Sequence, residues 1–183
     1  GFFFFLHAEI VLERLRREFD MELIATAPTV PYQVTLTNGE ISIMHTPAEM
    51  PDPSQIKMIE EPITHSVIFT PEIYLSSIMK LIKDRRGELI GTSFVGNRSR
   101  VELKLPLAEI ITDLHDTLKS LTAGFASLEY ELAGYAEVDV VKVTVLLNHE
   151  PIEPLSLMAV RDQAQSQARV LCEKLKEVIP RQQ

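Results

Sequence analysis

Seven basic side chains crowd into positions 80 to 104 of an otherwise acidic chain: Lys80, Lys83, Arg85, Arg86, Arg98, Arg100 and Lys104. Only Asp84, Glu88 and Glu102 oppose them there. Cations at that density suit contacts to phosphate, which draws Lys and Arg whatever the base sequence. The cluster has two halves. Lys83, Arg85 and Arg86 close an amphipathic stretch, and a helix C-terminus attracts cations through its dipole even without a ligand. Arg98 and Arg100 flank Gly96-Asn97 and have no helix end to explain them. About one strand, at roughly 3.3 Å per residue, separates the halves, which predicts two phosphate contacts and not one continuous patch. The whole chain carries a net charge of −8. That argues against a generic nucleic-acid binder and for a local basic surface on a protein whose other parts are held away. RNA-binding residues are therefore expected among these seven.

Other chemistry has little support. No Gly-x-x-x-x-Gly-Lys-Ser/Thr occurs, nor any Gly-Lys pair, so the backbone cradle and lysine that nucleotide phosphates need are missing from this stretch. His7, His45, His65, His115 and His149 are scattered without ligand spacing. His65 alternates with apolar strand residues and is expected to be a hydrogen-bonded core histidine. No nucleophile elbow or local triad frames the serines. Glu129 and Glu131 share a strand face and are expected to be solvated. Cys172 is the single cysteine, which rules out a disulfide framework and fits a reducing compartment. No apolar run approaches the length of a membrane span. Asn97-Arg98-Ser99 matches a glycosylation triplet, a pattern short enough to arise by chance. No catalytic, cofactor-binding or metal-binding residue is expected here.

The elements that would carry the cations read as one β-α-β-β-α-β unit between Ile63 and Leu132. Ile63, His65, Val67 and Phe69 alternate with Thr64, Ser66, Ile68 and Thr70, giving a strand with two unlike faces. Thr70 offers an N-cap, Pro71 a first helical position, and Leu75, Ile78, Met79 and Ile82 an apolar stripe that Gly87 can stop. Two strands follow, Glu88–Val95 and Arg100–Leu105, joined by the hairpin turn Gly96-Asn97. A second helix puts Ile110, Ile111, Leu114, Leu118 and Leu121 on one face until Gly124. A last strand turns Ala126, Leu128, Tyr130 and Leu132 inward. Two helices on one face of an antiparallel sheet make an α+β, ferredoxin-like domain. Its flanks are a truncated half of such a domain and a C-terminal strand-helix extension.

In the half domain, Ala8, Val11, Leu12, Leu15 and Phe19 mark a helix and Met21–Ala25 a short strand. Phe2 to Phe5 are expected to be the end of a core strand whose partners are missing, because a signal peptide would need a basic flank and a cleavage site. Asn38-Gly39 joins a connector hairpin, with Leu36 expected opposite Ile41 and Val34 opposite Ile43. Pro47, Pro51 and Pro53 break regular structure before Glu61. After the full unit, Val141 to Leu147 form a strand. Asn148–Pro154 turn, Leu155–Ala159 return, and a helix carries Ala164, Ala168, Leu171, Leu175 and Val178 on one side.

Several runs carry a family likeness: His7-Ala8-Glu9-Ile10, Thr26-Ala27-Pro28-Thr29-Val30, Glu61-Pro62-Ile63, Arg85-Arg86-Gly87, Leu118-Lys119-Ser120, Gly124-Phe125-Ala126-Ser127-Leu128-Glu129-Tyr130-Glu131 and Ile179-Pro180-Arg181-Gln182. In this order and spacing the chain resembles elongation factor 4, the LepA family of translational GTPases. The resemblance implies four regions. Residues 1–31 would end domain III, 32–60 would be a hairpin and Pro-rich connector, 61–139 the domain V shared with elongation factor G, and 140–183 the start of the family's own C-terminal domain. It also implies a cytoplasmic or organellar protein that promotes back-translocation or fidelity of protein synthesis. Its partners would be ribosomal RNA and tRNA, with peripheral membrane association of the whole protein and no DNA. GTP and magnesium would sit in a G domain outside this stretch. Two departures stand out: Phe4 replaces a family glycine, and Val160-Arg161-Asp162 replaces His-Arg-Asp, with Gln163 in place of a frequent basic residue. Two rival readings are a free-standing RNA-binding module and a small-molecule sensor of the same fold. The first needs exposed aromatics on the third strand, which Arg100–Leu105 lacks; the second would leave the half domain unexplained.

Overall fold

The computed structural model describes residues 30–147 and 150–178. The N-terminal helix and strand, the Phe2–Phe5 run and Ile179–Gln182 lie outside the described residues.

The central element is β3, Ile56–Pro71, sixteen residues long. Along one edge it pairs antiparallel with β6, Ser127–Glu137. Along the other edge it meets two strands in turn: β1, Tyr32–Leu36, against its first part and β5, Arg98–Pro106, against its last. Beyond β1 lies β2, Ile41–Met44, and beyond β5 lies β4, Glu88–Val95. The strand order β6-β3-β5-β4, with α1 (Leu75–Asp84) and the kinked helix α2 (residues 107–121) on one face, is the expected ferredoxin-like arrangement. β7, Val140–Leu147, and β8, Glu150–Val160, form a separate hairpin that leads into α3, Arg161–Val178. No helix among the described residues is long and apolar enough to cross a membrane.

Two cores hold these elements. Under the helices, Ile68, Val101, Leu103 and Leu105 of the sheet pack against Ile78, Ile82, Ile110, Leu114 and Leu118. A second core gathers Val30, Tyr32, Val34, Met44, Ile59 and Val140, with Leu107 and Ile111 from α2 and Met158 and Val160 from β8 against it. The stretch around Asn38-Gly39 is thus part of a packed unit, and β3 runs unbroken across positions 60 and 61.

Several local expectations are corrected. The helices cover Thr64, Ser66, Ile68 and Thr70, while His65, Val67 and Phe69 look out from the opposite, half-exposed face. Composition misleads because the covered face of β3 is rich in hydroxyls, which are hydrogen-bonded, whereas Ser99 Oγ, opposite Thr70 on β5, is buried with no partner among the described residues. Thr64 Oγ1 donates to the Leu105 carbonyl at 2.8 Å and lies 2.8 Å from Ser66 Oγ, and Thr70 Oγ1 donates to the Pro71 carbonyl at 3.1 Å. Thr70 therefore belongs to the strand and caps nothing. A 3-10 turn over Glu72–Tyr74 leads into α1 instead. The first hairpin pairs Thr35 with Ile41 and Val34 with Ser42, one residue away from the expected register. Gly39 at φ +90, with Leu36 N–H bonded to the Glu40 carbonyl, makes a three-residue loop with a bulge in place of a two-residue turn. The slip turns Ile41 and Ile43 outward, where both are exposed. Tyr130 and Leu132 lie on the helix side of edge strand β6 but remain exposed, so only Ala126 and Leu128 reach that core. The return strand β8 begins at Glu150, well before Leu155; a two-stranded sheet has outer edges where Pro151 and Pro154 need no amide partner.

Candidate nucleic-acid interface

The first basic group is set by how α1 ends. Gly87 N–H bonds the Ile82 carbonyl at 2.8 Å and Arg86 N–H bonds the Lys83 carbonyl at 3.3 Å, the two bonds of a Schellman stop. The left-handed residue is Arg86, at φ 59, and not the glycine. Gly87 is required for another reason: a Cβ there would stand 2.6 Å from Ile82 Cγ2 and 3.0 Å from the Ile82 carbonyl oxygen. This geometry swings Arg86 back toward the sheet.

There it meets carboxylates. Arg86 Nη1 and Nη2 donate to the two oxygens of Glu61 at 2.7 and 3.2 Å, and Nε donates to Glu109 at 3.0 Å. The Glu61 side chain is only 4% exposed. Burial works against the charge of Arg86, but the hydrogen bonds and charges of Glu61 and Glu109 more than offset it and move its pKa further up. Arg85 lies 2.7 Å from Asp113 and 3.9 Å from Glu109, and donates to Thr112 Oγ1 at 3.4 Å. Beside them the Tyr32 phenol is pushed up to about 12, chiefly by burial and then by the charge of Glu61, with Arg86 opposing and Glu109 adding. Three carboxylates thus face two guanidiniums, and the hub ties β1, β3, α1 and α2 together. Of its members, Glu109, Asp113 and Tyr32 were not singled out from sequence, and Glu61 was named only within the run Glu61-Pro62-Ile63. The one available signal was an acid, Glu61, beside Pro62-Ile63 at the start of a half-apolar strand.

The second group lies along β5. Register places Val95 opposite Arg98, Ser93 opposite Arg100 and Glu88 opposite Lys104. Arg98 therefore stands at the Gly96-Asn97 tip and Lys104 near the end of α1, about 20 Å apart at 3.3 Å per residue. Arg98, Arg100, Glu102 and Lys104 all share the face that the helices leave open, alongside His65, Val67 and Phe69. Arg100 donates to Glu102 at 3.3 Å, and His65 Nε2 lies 2.6 Å from the other oxygen of Glu102 and its Nδ1 3.8 Å from Glu131. These bonds, that from His65 first, hold the Glu102 carboxyl below its usual range. His65 is hydrogen-bonded as expected, but on the open face and not in the core.

The seven cations consequently differ. Arg85, Arg86 and Arg100 have carboxylate partners. Lys80, Lys83, Arg98 and Lys104 are exposed and have none among the described residues. The register keeps Arg98 at one end of the sheet and Lys83 at the other. Among the described residues no cluster of His, Cys, Asp and Glu is placed to hold a metal ion.

The sheet order and its register define the unit that presents these cations. Residues 58–146 match the family described as elongation factor G C-terminus. The matched stretch begins inside β3 and ends inside β7, so it takes in the whole β6-β3-β5-β4 sheet with both helices. The matched stretch is thus similar to the C-terminal part of a translation elongation factor. A crystal structure of a protein from Thermus thermophilus is also similar, with 30% sequence identity and a TM-score of 0.42. The match covers 44% of this chain and 12% of that one, so it spans about an eighth of that protein's length.

Proposed function

We propose that this chain is the non-catalytic C-terminal part of a ribosome-associated translational GTPase of the elongation factor 4 kind. It docks to ribosomal RNA and tRNA and promotes back-translocation or fidelity of protein synthesis in the cytoplasm or an organelle. The observation that carries this reading is the coincidence of the elongation factor G C-terminal match with a complete ferredoxin-like unit. The elongation factor 4 assignment rests on runs such as Thr26 to Val30, Gly124 to Glu131 and Ile179 to Gln182, two of which lie outside that match. GTP and magnesium belong to a separate G domain.

On this proposal the phosphate contacts fall to the exposed, unpaired cations: Arg98 at the hairpin tip and Lys80, Lys83 and Lys104 toward the other end. Arg85, Arg86 and Arg100 act mainly through the carboxylates they hold. Sedimentation of the chain through a cushion with bacterial ribosomes tests it. Co-pelleting at low salt that is lost as salt rises is the expected result. A chain that stays in the supernatant at low salt would overturn the proposal.

A further inference from the structure

β3 serves two units. Its first part pairs with β1 and belongs to the second core, and its last part pairs with β5 and belongs to the core under the helices. The change of unit falls at one level of the sheet. Pairing with β1 ends at Glu60 and pairing with β5 starts at Ile63, so Glu61 and Pro62 lie in a gap in that ladder. Pro62 has no amide to offer there. On the opposite edge Pro62 pairs with Tyr135 and Thr64 with Leu132, so Ile63 alone faces Ala133 and Gly134. That is a bulge, and Gly134 takes φ +96 in it. No atom lies within 4 Å of where its Cβ would stand, so the glycine answers a backbone need and not a packing one. β3 and β6, which run through both units, are thus interrupted at the same level.

The hub sits on this line. Glu61 stands in the gap itself and is held by two bonds from Arg86 at the end of α1, whose Nε donates to Glu109 of α2. Tyr32 of β1 adjoins them from the other unit. α2 also crosses the line, through Leu107, Ala108 and Ile111 against the second core. Apolar packing of that kind has no preferred direction, whereas a bidentate guanidinium–carboxylate pair has one geometry.

We infer that the sheet hinges along the line through Pro62 and Gly134, and that the hub is the latch that holds the two units at one angle. Arg86 fixes β3 at the line, and Glu109 fixes Arg86 to α2. With the latch released, the gap and the bulge let the β1–β2 unit turn against the ferredoxin-like unit, which changes where Lys83 and Arg98 stand relative to it. The inference does not depend on what those cations bind.

Distances between spin labels in the whole chain test it, with the exposed Cys172 changed to serine. Labels at the exposed positions of Glu40→Cys and Ser93→Cys span the line, and labels at Ser93→Cys and Ser120→Cys stay inside the ferredoxin-like unit. The parent should give one narrow distance for each pair. Glu61→Gln and Glu109→Gln keep the side-chain shape and remove the charge, so each should shift or split the spanning distance and leave the inner one as it was. An unchanged spanning distance in both variants, or two spanning distances already in the parent, would overturn the inference. So would equal broadening of both pairs, or failure of Glu109→Gln to fold, because the hub would then hold the whole fold and not one angle.

Discussion

Two neighbouring residues show how little of a side chain's role lies in its type alone. Arg86 accepts a left-handed backbone, a conformation costing a non-glycine residue roughly 1–2 kcal/mol, and Glu61 and Glu109 hold it there. Gly87 has ordinary dihedral freedom to spare but no room for a methyl group. Gly87→Ala should therefore cost about 1–3 kcal/mol by overpacking against Ile82. Urea denaturation would measure it, and a change within about 0.5 kcal/mol would mean the helix end yields more easily than its contacts indicate. Tyr32 gives a prediction in pH. Its ordinary value is 10.0 and its folded value about 12, so the fold favours the neutral phenol. The stability this provides is complete below pH 10 and is lost as pH rises through about 12. Phenolate absorbance of the wild type minus that of Tyr32→Phe should titrate near 12; a midpoint at 10 would show that the phenol is not sequestered beside Glu61.

Among the elements, strand and helix order was legible because period 2 and period 3.6 alternate cleanly from Ile63 to Leu132. What escaped was set by contacts distant in sequence. The covered face of β3 is the hydroxyl-rich one because Thr64 and Ser66 bond one another and β5, which alternation cannot reveal. The Asn38-Gly39 hairpin slipped by one residue because Gly39 serves a bulge, and turn chemistry alone allows both loop lengths. Arg86 was found, but its carboxylate partners come from β3 and α2, 25 and 23 residues away in sequence. The hub is consequently an inter-element clamp. Arg86→Ala would leave Glu61 buried without a partner and should destabilise the fold by about 3–5 kcal/mol. Arg98→Ala, at an exposed tip, should stay within about 0.5 kcal/mol. Equal losses for the two in urea titrations would mean that the clamp contributes nothing particular.

At the scale of the whole molecule, the proposed docking asks an acidic protein to meet a polyanion through a local set of cations. The net charge of −8 is spread over the chain, while the cations between positions 80 and 104 that have no carboxylate partner among the described residues lie toward the two ends of one sheet. The acids of the hub neutralise the arginines nearest the second core. Basic composition therefore overstates the proposed binding surface: seven cations are present between positions 80 and 104, but Arg85, Arg86 and Arg100 already have partners. The most direct measurement is the salt dependence of ribosome binding by the chain, for the wild type, Arg98→Ala, Lys83→Ala and Arg86→Ala. Each lost phosphate contact lowers the slope of log affinity against log salt by about 0.7–0.9. Arg98→Ala and Lys83→Ala should each flatten the slope by about that amount, and Arg86→Ala, under conditions where it remains folded, should leave it unchanged. An unchanged slope for Arg98→Ala and Lys83→Ala, with a flattened one for Arg86→Ala, would contradict the account.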